Sequence, residues 1–229
     1  MLDPAAGSVD LSKLILAIGG LGTAAYGVVD ATKALGGGVS RVGFGDIKKV
    51  ISKLVPASSG ADGTAAALAL DSTLATLRAN WMNGMATADQ KSIAKALVKL
   101  SLRPESAGRL ANATGVDGEI LKNVAKKVST KDKLTDEETD VYGRFDLLLS
   151  ALLDQAYQRG DQRYRNTAKL LAVVVSVLLA WACSWTVLGR GHFAMATLAG
   201  LLATPLAPVA KDLSSAIQAG AKVAQSWMR

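Results

Sequence analysis

Three stretches of the chain carry no charge, and the segments between them follow a helical period. The uncharged stretches are residues 14–29 (LILAIGGLGTAAYGVV), 170–189 (LLAVVVSVLLAWACSWTVLG) and 193–210 (FAMATLAGLLATPLAPVA). A bilayer span needs about 20 apolar residues, with a range of roughly 17–25. The second stretch meets that length. The third lies at its lower end, and the first reaches it with Leu11 and a snorkelling Lys13. The alternative is a water-soluble bundle with three buried helices. The second stretch argues against it, because a globular helix keeps a wet face and this one is apolar all round. Gly189-Arg190-Gly191 leaves room for only a short turn, so residues 170–210 read as a transmembrane hairpin. A cleaved leader is the other reading of residues 1–29, but Asp3 and Asp10 make its start acidic rather than basic.

Elsewhere the pattern predicts helix after helix and almost no strand. Gly36-Gly37-Gly38 stops the first helix. Beyond it Val39, Val42, Ile47, Val50, Ile51 and Leu54 fall on one helical face, with Arg41, Lys48, Lys49 and Lys53 mainly elsewhere. That fits a basic amphipathic helix on an anionic membrane surface, or equally a lid on the soluble domain. Gly43 and Gly45 weaken its first turn. A small, polar linker over 56–63 leads to helical signals at 64–80, 88–102, 105–113 and 117–128. In the 88–102 segment, Ile93, Leu97 and Leu100 form the stripe and Arg103-Pro104 ends it. The run Thr135-Asp136-Glu137-Glu138-Thr139-Asp140 looks like a metal cluster. It reads better as a helix start, with Thr135 as N-cap and Glu138 closing a capping box. From there nothing clearly stops the helix before Gly160. Tyr142, Phe145, Leu149, Leu152, Ala156 and Tyr157 give it an apolar face. If Gly160 is tolerated, one helix runs through residue 188.

The fold class that follows is an all-α integral membrane protein. It has three transmembrane helices and a helical cytoplasmic domain, with a long helix running into the second span. Its divisions are a spanning helix in 1–35, an amphipathic surface helix in 36–56 and a helical domain in 57–134. The long helix occupies 135–188, and the third span with an amphipathic tail occupies 189–229.

Composition agrees with this division. Hydrophobic residues make up 50% of the 229 positions, yet charged ones still make up 20%, so a sizeable part must meet water. The net charge of +7 is accounted for by basic flanks. Lys33, Arg41, Lys48, Lys49 and Lys53 follow the first span, and Arg159, Arg163 and Arg165 precede the second. The N-terminus and the hairpin turn carry only Lys13 and Arg190. The bias toward basic residues on the inner side then predicts an outside N-terminus and hairpin turn, with the central domain and C-terminus cytoplasmic. Such flanks need no nucleic acid, and the aromatic-basic interleaving of RNA modules is missing.

The chemistry of a reaction is hard to find. The single cysteine, Cys183, lies in an apolar run and behaves as a small hydrophobe. The single histidine, His192, sits beside the turn and builds no histidine-rich metal site. No cofactor-binding or nucleotide motif is present, and no ionisable group interrupts the spans as a transport or proton pathway would require. Association is better represented. Gly19, Thr23 and Gly27 recur every fourth residue, with Gly20 and Ala24 beside them, and small residues at that spacing let helices pack closely in lipid. Lys13, Arg163, Arg165, Lys169, Trp185 and Trp227 are the expected membrane-interface residues. Asp30, Lys33, Lys211 and Asp212 are candidate charge pairs at the inner edge.

The stretch GRFDLLLSALLDQAYQRGDQRYRNTAKLLAVVVSVLLAW and the later LAPVAKDLSSAI together resemble a group of bacterial inner-membrane proteins. In these an Arg-Phe-acid helix leads through a basic-aromatic patch into a hairpin. The matching residues are Arg144, Phe145, Asp154, Arg163, Tyr164, Arg165, Pro208, Asp212 and Leu213. The likeness covers about a third of the chain and departs in the central domain and the Gly-rich first span. It implies topology and an inner-membrane location, with no activity attached. The expected function is a non-enzymatic membrane scaffold or complex subunit whose partners are membrane lipid and either further copies or other membrane subunits. A homo-oligomeric pore or channel-type effector is the alternative, followed by a membrane-anchored enzyme.

Overall fold

A computed structural model describes residues 11–34, 36–55, 69–187, 189 and 191–227, with side chains as far as residue 219. Among the described residues every regular element is helical. The helices are α1 (Leu11–Ala31), followed by the 3-10 turn Thr32–Ala34; α2 (Ser40–Leu54); α3 (Leu70–Met82); α4 (Thr87–Leu100); α5 (Pro104–Thr114); α6 (Gly118–Thr130); α7 (Asp136–Val187); and α8 (Phe193–Trp227). The chain forms two compact units. Ser40–Tyr164 is one, and the flanking segments, up to Val39 and from Arg165, make the other. The linker expected at 56–63 lies outside the described residues.

The Ser40–Tyr164 unit packs large apolar side chains inside. Its core gathers Ile47, Ile51 and Leu54 of α2, Leu77 of α3, Val98 of α4, Leu110 of α5, Leu121 of α6 and Phe145, Leu149, Leu153 and Tyr157 of α7. Local chemistry sets its helix ends. Pro104 opens α5 after the extended Arg103, and Gly115 closes it at φ 76°, where a side chain would be strained. Asp117 caps α6 by accepting from the amides of Glu119 and Ile120, each at 2.9 Å. At the start of α7 the capping box is complete. The Glu138 amide donates to Thr135 Oγ1 at 3.3 Å, and the Thr135 amide donates to Glu138 Oε2 at 2.7 Å. The acidic run is therefore a helix start, and Lys127 reaches Glu138 as well.

The apolar face of α2 is not open to a lipid surface: Phe44, Ile47, Ile51 and Leu54 are buried in this core. Of the two readings of that helix, packing favours the lid. Val42 is exposed and Phe44 takes its place. Leu100 is likewise exposed, and α4 instead buries Gln90, Ala94 and Val98. Both differences have the same cause. The two residues lie at the margin of an apolar stripe, and which edge of it sinks depends on the neighbouring helix.

Gly160 does not end α7. It is buried where α2 crosses, and a Cβ placed there would stand 2.8 Å from the carbonyl oxygen of Gly43. Gly43 is confined in return by Gly160, Trp81 and Tyr164. Two glycines thus let two backbones touch. Trp81 seals the place by donating its indole N–H to the Ser40 carbonyl at 2.9 Å.

The flanking unit is built the other way round. Most of its buried positions are small: Gly19, Gly22 and Ala25 on α1, Ala172, Ser176, Ala180 and Ser184 on α7, and Ala196, Gly200, Ala203 and Ala207 on α8, with the larger Val29 and Val39 also buried. Its large side chains face outward, with Leu170 67% exposed, Val187 78% and Leu198 60%. Three of the helices, α1, α7 and α8, are long and apolar enough to cross a membrane. Pro205 and Pro208 lie inside α8, which continues past both.

Candidate functional site

Within the flanking unit, helix association is governed by backbone approach. Gly19 lies against Leu206 and Ala210 of α8, and Gly22 against the Ala203 carbonyl and Ala207. Gly200 of α8 lies against the backbone of Val177. Next to that contact Ser176 Oγ donates to the Gly200 carbonyl at 2.7 Å. Near the turn Trp181 donates its indole N–H to Thr197 Oγ1 at 2.9 Å, and its ring meets Phe193 edge-on at 6.4 Å. Small residues bring the helices close and Ser176 bonds across the contact, while Ser184 Oγ and Thr204 Oγ1 are buried without a hydrogen-bond partner among the described residues.

The helix-packing residues expected on α1 divide between two faces. Gly19 is in the interface with α8, but Gly20, Thr23, Ala24 and Gly27 are exposed, and added Cβ atoms at Gly20 and Gly27 would meet nothing within 4 Å. The buried stripe is Gly19, Gly22, Ala25 and Val29. A 3.6-residue helix drifts past a strict spacing of four, so spacings of three and four share the contact. A second seam escaped the sequence reading. Ala172, Ser176, Ala180 and Ser184 recur every fourth residue on α7 and are all buried. The same spacing rule, applied to the second span, would have found it.

The expected interface residues also separate. Arg165, Lys169 and Trp185 are exposed, as is Lys13 at the start of α1. Arg163 belongs to the other unit, where its Nε lies 3.2 Å from Asp46 Oδ2. Trp227 ends α8, and its side chain lies outside the described residues. Of the edge charges, Asp30 and Lys33 pair at 2.5 Å, while Lys211 and Asp212 are exposed.

In the Ser40–Tyr164 unit the polar contacts concentrate between α4 and α7. Lys91 pairs with Asp154 at 2.5 Å, and Lys95 and Lys99 converge on Asp146 at 2.6 and 3.0 Å. The hydrogen bond from Lys95 is the main reason the Asp146 carboxyl is held below its ordinary pKa; desolvation opposes it and Lys99 adds to it. Glu138 is lowered too, first by the bond from Lys127 and then by the Thr135 amide. Burial pushes the Tyr157 phenol up to about 12. Among the described residues, no three of His, Cys, Asp and Glu come together as metal ligands would.

No family model matches the chain, and no curated protein or solved structure does.

Proposed function

We propose that the chain is a non-enzymatic, multi-pass membrane scaffold, a subunit that holds a helical domain at the surface of an inner membrane. The observation that carries this reading is the contrast between the two units. One has a small-residue interior and a large apolar exterior, the order suited to lipid as solvent. The other has a large apolar core and charged pairs at its surface. A span of α7 apolar enough to cross the bilayer continues directly from residues that help build the second core, so this reading makes the domain membrane-tethered. The basic flanks favour a cytoplasmic side for it, with the N-terminus and hairpin turn outside.

Lateral association is part of the proposal. The outward face of α1 at Gly20, Thr23, Ala24 and Gly27 is exposed among the described residues, and it offers another helix the close approach that Gly19 and Gly22 give α8. A homo-oligomeric pore would use the same face. The test is the native mass of the complex after mild extraction from its source membrane, with every constituent identified. Co-purifying subunits of other sequence support the scaffold. A closed ring of identical chains supports the pore. A lone monomer contradicts both.

A further inference from the structure

A groove of about 560 Å³ lies between α2 and α3 in the Ser40–Tyr164 unit. Arg41, Phe44, Gly45 and Lys48 line it from α2, and Asp71, Leu74, Ala75 and Arg78 from α3. The spacing in each set is three or four residues, so each helix offers one face. The bond from Trp81 to the Ser40 carbonyl ties the end of α3 to the start of α2. It thereby sets Arg78 and Arg41 at the same end of the groove, with Lys48 and Asp71 toward the other. The lining holds three cations against one carboxylate, and Asp71 sits in the first turn of α3, where the helix dipole favours it.

The basic side chains on α4 behave differently. Lys91, Lys95 and Lys99 are all taken by carboxylates of α7. Arg41, Lys48 and Arg78 have no ion pair among the described residues. Two guanidinium groups at one end of a groove match the geometry of a phosphate, which arginine binds through paired N–H donors. The remaining lining is apolar, and Gly45 leaves open space where a side chain would stand. The volume lies in the range of about 300–1,000 Å³ found for small-molecule sites, more than one bare phosphate needs.

We propose that this groove binds an organic phosphate. Arg41 and Arg78 hold the phosphate, Lys48 adds to the positive field, and the carbon body of the ligand lies along Phe44, Leu74 and the gap at Gly45. The phosphate is either that of a soluble compound or that of a lipid headgroup.

The test uses the full chain in phosphatidylcholine nanodiscs, with trinitrophenyl-ATP as a fluorescent probe and pyrophosphate as competitor. Saturable binding, displaced by pyrophosphate, is expected. The double variant R41Q/R78Q weakens it at least about tenfold, from the loss of two charge-assisted contacts. Gly45→Leu keeps every charge, fills the gap and weakens binding similarly. Arg109→Gln, which alters an exposed charge of α5 away from the lining, leaves it unchanged. Helix content read by circular dichroism shows that each variant is folded. Repeating the titration in nanodiscs doped with phosphatidic acid identifies the source: competition by the lipid assigns the site to a headgroup, and unchanged affinity assigns it to a soluble phosphate. Either result supports an organic phosphate site. Absence of saturable binding overturns the proposal. So does binding that survives R41Q/R78Q, or binding that survives Gly45→Leu, since the groove would then not be where the anion sits.

Discussion

Alanine at Gly43 sets two effects of opposite sign against each other. In a helix interior alanine is favoured over glycine by about 0.8–1.0 kcal/mol. At Gly143, on an exposed part of α7, an added Cβ meets nothing within 4 Å, so that gain stands alone and Gly143→Ala stabilises. At Gly43 the Cβ would stand 2.8 Å from Trp81 Cζ2, 3.0 Å from Tyr164 Cβ and 2.5 Å from the Gly160 carbonyl oxygen. That oxygen belongs to a helix backbone and has no rotamer to escape into. The two helices must part by several tenths of an ångström, which also draws on the Trp81–Ser40 hydrogen bond. Overpacking of this kind costs about 1–3 kcal/mol. Subtracting the propensity gain leaves Gly43→Ala destabilised by up to about 2 kcal/mol. Gly160→Ala loses less, since its severe contact is a single one, with the Gly43 oxygen. For a chain of this size 1 kcal/mol moves Tm by about 2–4 °C. Thermal unfolding of the full chain in detergent, followed by circular dichroism and tryptophan fluorescence, reads both directions. Gly43→Ala should melt about 4–8 °C below the parent at the full cost, and Gly143→Ala above it. If Gly43→Ala melts above the parent together with Gly143→Ala, α2 and α7 do not touch at these glycines.

The cap of α7 gives a second expectation: Thr135→Ala removes one half of the box and costs about 0.5–2 kcal/mol in the same melt, and an unchanged Tm would contradict it. The carboxylates give an acid limb. Asp146 and Glu138 are held below their unfolded values, so their contribution is whole above the ordinary carboxylate pKa of about 4 and fades as pH falls through the folded values. Asp146→Asn should flatten that limb in melts taken across acidic pH, and an identical acid profile would refute the assignment. Tyr157 gives an alkaline limb of opposite sign. Its pKa rises from 10.0 to about 12 on folding, so its contribution is whole below pH 10 and is lost as pH climbs toward 12. Tyr157→Phe should remove that loss at little cost near neutral pH, because the phenol's bond to the Gln90 carbonyl is long, at 3.4 Å.

Much of this fold is legible in the sequence because its signals are local. Absence of charge over 170–189 marks a segment apolar enough to span a membrane without reference to any neighbour. The Thr135–Glu138 box marks a helix start from four residues, and Pro104 and Gly115 bracket a helix by their backbone chemistry alone. What the pattern does not hold is which neighbour each face meets. Gly160 reads as a possible break because its reason for being glycine, the backbone of Gly43, lies more than a hundred residues away in the chain. On α1 the small residues Gly19, Gly20, Thr23, Ala24 and Gly27 are plain in the sequence, but nothing local says that of these only Gly19 is buried, on a stripe with Gly22 and Ala25. The groove of Arg41, Lys48 and Arg78 is invisible for the same reason: α2 reads as a basic helix, and nothing in its own residues says that Arg78 of α3 shares its end.

The central claim is that α1, the apolar end of α7 and α8 lie in lipid while Ser40–Tyr164 lies in water. Its most direct measurement is spin-label accessibility in reconstituted vesicles. Cys183 is replaced by serine, and single cysteines are introduced at Leu178, at Leu198 and, for contrast, at the exposed Lys126. Labels at Leu178 and Leu198 should be relaxed by oxygen and shielded from a water-soluble nickel complex, and the label at Lys126 should show the reverse. Ready access of the nickel complex to Leu178 and Leu198 would contradict the claim.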